Sequence, residues 1–162
     1  MDKFAPWFCR GSRACVSFVR MLTTNKRYKN ELEAVIAASW FTVNEEVYVY
    51  ASVTEVAEPE KHLLVVRDGE EITLATDARH LPVPHCLQVN KEQWKLVNIR
   101  CGNPFYCVGF IASITDALAV AGIDIVIISG FSNDLILVMQ QDLERAVEVL
   151  VGIGFRQAKR GA

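Results

Sequence analysis

In the second half of the chain, Ile111, Ile114, Leu118 and Ala121 recur at helical spacing and lie on one face of a helix. Gly122 then stands where a helix needs a left-handed residue to end. Residues 124–129 form a β-branched run of the kind that buried strands favour. A polar stretch, Gly130-Phe131-Ser132-Asn133-Asp134, reads as a turn, and residues 135–139 as the return strand. Asp142 opens a second helix, with Leu143, Ala146, Val147 and Leu150 on one face.

The alternation of residues 94–101 predicts a strand ahead of this unit, turned by Gly102-Asn103-Pro104, and residues 154–159 supply a final strand. From Trp94 on, the order is strand, helix, strand, strand, helix, strand, which is the ferredoxin-like βαββαβ arrangement of an α+β fold. The upstream half offers similar ingredients in reduced form. Asn30 can cap a helix over 31–39, followed by the apolar anchor Trp40-Phe41. Asn44-Glu45-Glu46 reads as a turn and 47–53 as a strong strand. Residues 55–61 form a loop containing Pro59, and strands 62–67 and 71–75 are joined by the hairpin signal Asp68-Gly69. Pro82 and Pro84 prevent a continuous helix in 76–87, although 77–81 has room for one turn. The expected division is a flexible extension over 1–29, a degenerate unit over 30–90 and a complete unit over 91–160.

Composition narrows the classes of function. The 162 residues suit one domain or two very small ones, and 51% apolar content is ample for a core. The net charge is only −2 and the basic residues are scattered, which argues against a nucleic-acid partner. No apolar run reaches the roughly 18 residues a membrane span requires. Five cysteines at irregular spacing do not form a disulfide framework and read as reduced thiols of a cytoplasmic protein. The first twenty residues are cationic, with Arg10, Arg13 and Arg20, and lack the apolar stretch of a secretory signal. A transit-like segment or an extension ahead of an alternative start at Met21 fits them.

The segment ALAVAGIDIVIISGFSNDLILV, residues 117–138, resembles the small-molecule-sensing ACT domain, with its AGI at the helix end and an Asp in the following hairpin. DLERAVEVL resembles the second ACT helix. Upstream, ELEAVIAAS, EVYVYASV and RDGEEITLAT resemble the first half of bacterial two-ACT proteins related to the CASTOR-type arginine sensors. This resemblance covers residues 30–155 and is more specific in the second half. It implies two tandem ACT-like units, the first degenerate, and regulatory binding of an amino acid or similar small ligand between units, without catalysis or a cofactor. It also implies a homodimer or higher homo-oligomer. Carried over by position, the ligand contacts would be Gly122, Ile123, Ser129, Gly130, Phe131, Asn133 and Asp134. The Phe131-Ser132-Asn133 segment departs from the polar or aromatic pair of the relatives, so the ligand's side-chain preference is open.

The chemistry of that set is coherent. An amino acid's ammonium wants a carboxylate in a partly dry place, and Asp134 is the only acid between Asp124 and Asp142. Gly122 and Gly130 let a ligand approach backbone N–H groups. Each residue also has a purely structural reading. Asn133-Asp134 suits a turn held by side-chain to backbone bonds, Gly122 a helix cap, and Ser129 and Ser132 ordinary strand-end hydroxyls. Phe131 suits either a pocket lid or an oligomer contact. A ligand-free interaction module is the alternative function. Neither the His80, His85 and Cys86 group nor Cys101 and Cys107 has zinc-site spacing. Ser113 is out of place for a nucleophile elbow, and Gly152-Ile153-Gly154 lacks the context of a dinucleotide loop.

Overall fold

The computed structural model describes residues 26–102 and 106–159, with side chains from Glu31 onward. Most of the expected extension, and the Asn103-Pro104 turn, lie outside them. Helix α1 spans Lys26–Ala38 and strand β1 Trp40–Val53. Strands β2 (His62–Arg67), β3 (Ile72–Asp77), β4 (Cys86–Val89) and β5 (Trp94–Arg100) follow. Helix α2 (Phe110–Val120), strands β6 (Ile125–Ser129) and β7 (Asp134–Met139), helix α3 (Leu143–Gly152) and strand β8 (Arg156–Gln157) complete the described helices and strands.

All eight strands join one sheet, with the main path β2-β3-β1-β5-β7-β6. The path is quasi-symmetric: each half contributes a hairpin and an inner strand, and the halves meet where β1 pairs antiparallel with β5. The second half keeps the ferredoxin-like layer. Its core, built on Val97, Ile99, Ile136 and Val138, lies under Ile114 and Leu118 of α2 and Ala146 and Leu150 of α3. Helix α1 joins the same cluster through Val35 and Ile36, so all three described helices cover this part of the sheet. The opposite face carries a second cluster that spans both halves, with Tyr48 and Ala75 alongside Leu96 and Leu137.

Several elements depart from the sequence reading. Strand β1 begins at Trp40, because Asn44-Glu45-Glu46 is a bulge within one long strand and not a turn between two elements; the β1–β5 register shifts between Val43 and Val47. Helix α1 starts ahead of Asn30, which therefore lies inside it and not at its N-cap position. Strand β4 was not legible among the prolines, yet it pairs with Ala51–Val53 of β1. Strand β8 is only two residues long and pairs parallel with Trp40 and Phe41. Asp142 precedes α3 without capping it through its side chain; its carboxylate instead pairs with Arg145 at 2.8 Å.

Candidate functional site

Gly122 and Ile123 close helix α2. Gly122 has φ +68°, its N–H donates to the Ala119 carbonyl at 2.9 Å, and the Ile123 N–H reaches back to Leu118 at 3.0 Å. These are the paired bonds of a Schellman cap, and the buried Ile123 supplies its apolar contact. Both amides are thus already engaged within the chain.

Ser129 to Asp134 lie at the other end of β6. Ile125 pairs with Val138, whereas Ser129 pairs with Asp134. Four residue steps at ~3.3 Å separate the two ends by about 13 Å of strand. Within one protomer Gly122 and Ile123 therefore stand apart from Asp134. The Gly130 N–H is engaged as well, donating to the Asn133 carbonyl at 2.8 Å.

Asp134 is the notable member of the set. It points to the helix-covered side, alternating in register with Ile136 and Val138, and is only 7% exposed. The Ser129 hydroxyl donates to Asp134 Oδ1 at 2.7 Å. Among the described residues no lysine, arginine or histidine forms an ion pair with it. Cys101 lies nearby at the end of β5; burial chiefly pushes its thiol pKa up, and the charges of Cys107 and Asp134 add to that. Ser39 links the same corner, accepting from the Gly102 N–H at 2.7 Å and donating to the Val35 carbonyl at 2.7 Å.

The neighbours of Asp134 point elsewhere. The Asn133 amide donates to Asn98 Oδ1 at 2.8 Å, and Arg100 donates to the Ser132 carbonyl and hydroxyl. Asn98 and Arg100 alternate with Val97 and Ile99, so this latch holds the hairpin tip on the face opposite the described helices. Phe131 stands at the tip, 99% exposed. The local turn is therefore built by Asn133 and Ser132, which leaves Asp134 without that role.

Sequence reasoning missed two polar features. A cleft of about 520 Å³ opens beside the β1 bulge, lined by Glu45, Glu46, Asp77, Arg79 and Gln93 among others. There Asp77 caps the turn Ala78–His80 by accepting from the Arg79 N–H, and its other oxygen takes two guanidinium bonds. The Arg79 guanidinium holds the Asp77 carboxyl below its ordinary pKa, against the opposing effect of burial. The second feature is a pair of buried polar atoms with no hydrogen-bond partner, Tyr50 Oη and Trp94 Nε1, on rings in edge contact at 6.0 Å. No group of three or more metal-ligating side chains occurs among the described residues, and none of their helices is long and apolar enough to cross a membrane.

Residues 89–151 match the family model of the ACT domain. No curated protein matches the chain. Among solved structures, it is similar to a protein of unknown function from Vibrio cholerae described as a possible transport protein, with TM-score 0.68 and 19% identity over 78% of this chain and 98% of that one. It is similar to a protein from Agrobacterium tumefaciens, with TM-score 0.64 and 19% identity over 76% and 95% of the two chains. It is also similar to the aspartate kinase of Clostridium acetobutylicum, an allosteric enzyme, with TM-score 0.56 and 15% identity over 70% of this chain and 34% of that one. At these identities the likeness is one of fold: an antiparallel α/β sheet of the ACT type.

Proposed function

We propose that the protein is a regulatory module that binds a free amino acid or a similar small dipolar solute, with Asp134 holding the ligand's ammonium. The observation that carries this reading is a buried carboxylate with no cationic partner among the described side chains, within the segment that matches the ACT domain. Burying an unpaired charge is costly, and a ligand ammonium would offset that cost. Ser129 orients the carboxylate through Oδ1. The allosteric character of the similar aspartate kinase supports a regulatory role without supplying its target.

The same reading accounts for the separation of Gly122 and Ile123 from Asp134. Strand β6 is the last in the sheet path, carries no charged residue, and offers an edge for pairing. Antiparallel β6–β6 pairing of two copies would set the start of one strand, with its Gly122-Ile123 cap, against the Ser129–Asp134 end of the other. Because the amides of Gly122, Ile123 and Gly130 are engaged, these residues would contribute shape and close approach. Phe131, exposed at the tip, would meet the second copy or cover the ligand.

Thermal unfolding in the presence of each common amino acid tests the reading. A ligand at ~100 times its Kd stabilises by about 2.7 kcal/mol, and Asp134→Asn is expected to remove the shift while leaving the fold intact. A panel that produces no shift at millimolar concentration would falsify the ammonium site. Light scattering tests the assembly; a monomer at working concentration would remove Gly122 and Ile123 from the site.

A further inference from the structure

On the face that no described helix covers, three side chains from distant parts of the chain fall into one row. Trp40 of β1 is directly opposite Arg100 of β5 and directly opposite Arg156 of β8. Residues opposite one another in a ladder project from the same face. The neighbours fix which face this is. Phe41, Ile99 and Phe155 are all buried in the helix-covered core, so Trp40, Arg100 and Arg156 project the other way. The result is a guanidinium on each side of an indole.

The two arginines are positioned but not neutralised. Arg100 is steadied by Ser132, through its carbonyl at 3.2 Å and its hydroxyl at 2.9 Å. Arg156 touches the Ala38 carbonyl at 3.4 Å. Neither forms an ion pair with a described carboxylate, unlike Arg79 and Arg145. Both are exposed, and the Trp40 ring is half-buried. A cleft of about 420 Å³ opens beside the row, lined by Trp40, Arg156, Gln157 and Ala158.

We infer that this Arg100–Trp40–Arg156 row binds a small planar anion, an aromatic ring bearing a carboxylate or a phosphate. The indole offers a flat stacking surface. The guanidinium forks match either oxyanion in bidentate geometry and also stack on rings. In a chain of net charge −2, an unpaired pair of guanidiniums around a tryptophan is a local reversal of sign. The row is on the opposite face of the sheet from Asp134 and needs no ammonium, so it stands apart from the amino-acid reading.

The test follows the Trp40 indole N–H by NMR, assigned with Trp40→Phe, while nicotinate or AMP is added to the full chain. Nicotinate and AMP distinguish a carboxylate from a phosphate source; cyclohexanecarboxylate and inorganic phosphate are the controls. The expected result is a saturable shift with at least one aromatic anion and weaker binding of its matching control. Arg100→Gln and Arg156→Gln are each expected to weaken binding about tenfold, the scale of one charge-assisted hydrogen bond. Both substitutions are at exposed positions and leave the core intact; Asp134→Asn should leave this binding unchanged. The inference is overturned if neither aromatic anion moves the Trp40 signal at millimolar concentration, if both arginine variants bind as the wild type does, or if the controls, which lack an aromatic ring, bind equally well.

Discussion

The inner strands of the two halves are covered in different ways. Above β5, β7 and β6, three helices bury Val97, Ile99, Ile136 and Val138. On the same side of β1 and β3, no helix lies among the described residues of the cluster; Val53, Ile72 and Leu74 are covered by Val56, Val83 and Cys86 from the segments around the turns. The hairpin tips differ as well. In the first half Asp68 Oδ1 accepts from the N–H groups of Glu70 and Glu71, a self-contained turn. In the second half Asn133 and Ser132 are tied to Asn98 and Arg100 on the neighbouring strand. The first half thus holds the strand order β2-β3-β1 with apolar cover from segments around its turns. The half with helices is the one that retains a buried, unpaired acid.

The largest expected effects test whether these unlike halves are one cooperative unit. Leu118 and Leu74 are both fully buried, one beneath the helices and the other beneath the loops. Leu118→Ala and Leu74→Ala should each cost about 3–4 kcal/mol, read from chemical denaturation. Because the two halves share one sheet, joined where β1 pairs with β5, each variant should unfold in a single transition shifted to lower denaturant. A split transition for Leu74→Ala alone would make the first half a separately melting annex. Next in size is Gly102→Ala, which strikes the junction between α1 and the second half. A Cβ there would meet the Val35 carbonyl oxygen at 2.8 Å and Ala38 Cβ at 2.9 Å. Backbone cannot yield cheaply, so a loss of about 2 kcal/mol in unfolding free energy is expected.

What could be read without the structure follows the range of the forces involved. Strand 62–67 and the Gly122 cap were legible because β-branched runs and helix stops are local signals. Strand β1 was cut short because Asn44-Glu45-Glu46 has the composition of a turn, and only pairing with β5 shows it to be a bulge. Helix α1 precedes the first half in sequence but packs with the second, which no local pattern reveals. The Asp134 acid was visible; its burial against Ser129 and the engagement of the nearby amides were not. The Arg100–Trp40–Arg156 row depends entirely on register between strands far apart in the chain.

The glycines of the two hairpins give a smaller and more local contrast. A Cβ on Gly130 would meet Asn133 Oδ1 at 2.9 Å and its carbonyl oxygen at 3.1 Å, whereas Gly69 has open space around it. Gly130→Ala should cost about 1 kcal/mol by disturbing the latch to Asn98, and Gly69→Ala should stay within about 0.5 kcal/mol of wild type. Urea midpoints of the two variants measure the difference. Equal effects would mean that the latched tip is no more constrained than the self-contained one.

The smallest expected effect separates the turns that follow β3 and β7. Asp77 caps the first through the Arg79 N–H, whereas the turn Gln140–Asp142 has no side-chain cap. Hydrogen bonds from the Arg79 guanidinium hold the Asp77 carboxyl below its ordinary range. A depressed folded-state pKa contributes stability that is present above the unfolded value, about 3.9, and lost as pH falls through the folded one. The advantage of wild type over Asp77→Asn should therefore be constant from neutral pH down to about pH 5 and shrink below about pH 4. Arg79 is largely exposed, so solvent screening keeps the electrostatic part under about 1 kcal/mol. Urea unfolding of both proteins at neutral pH and at about pH 3 reads it directly. A wild-type advantage of the same size at both pH values would mean that Asp77 contributes only as a neutral acceptor for the turn, and that its charge adds nothing to stability.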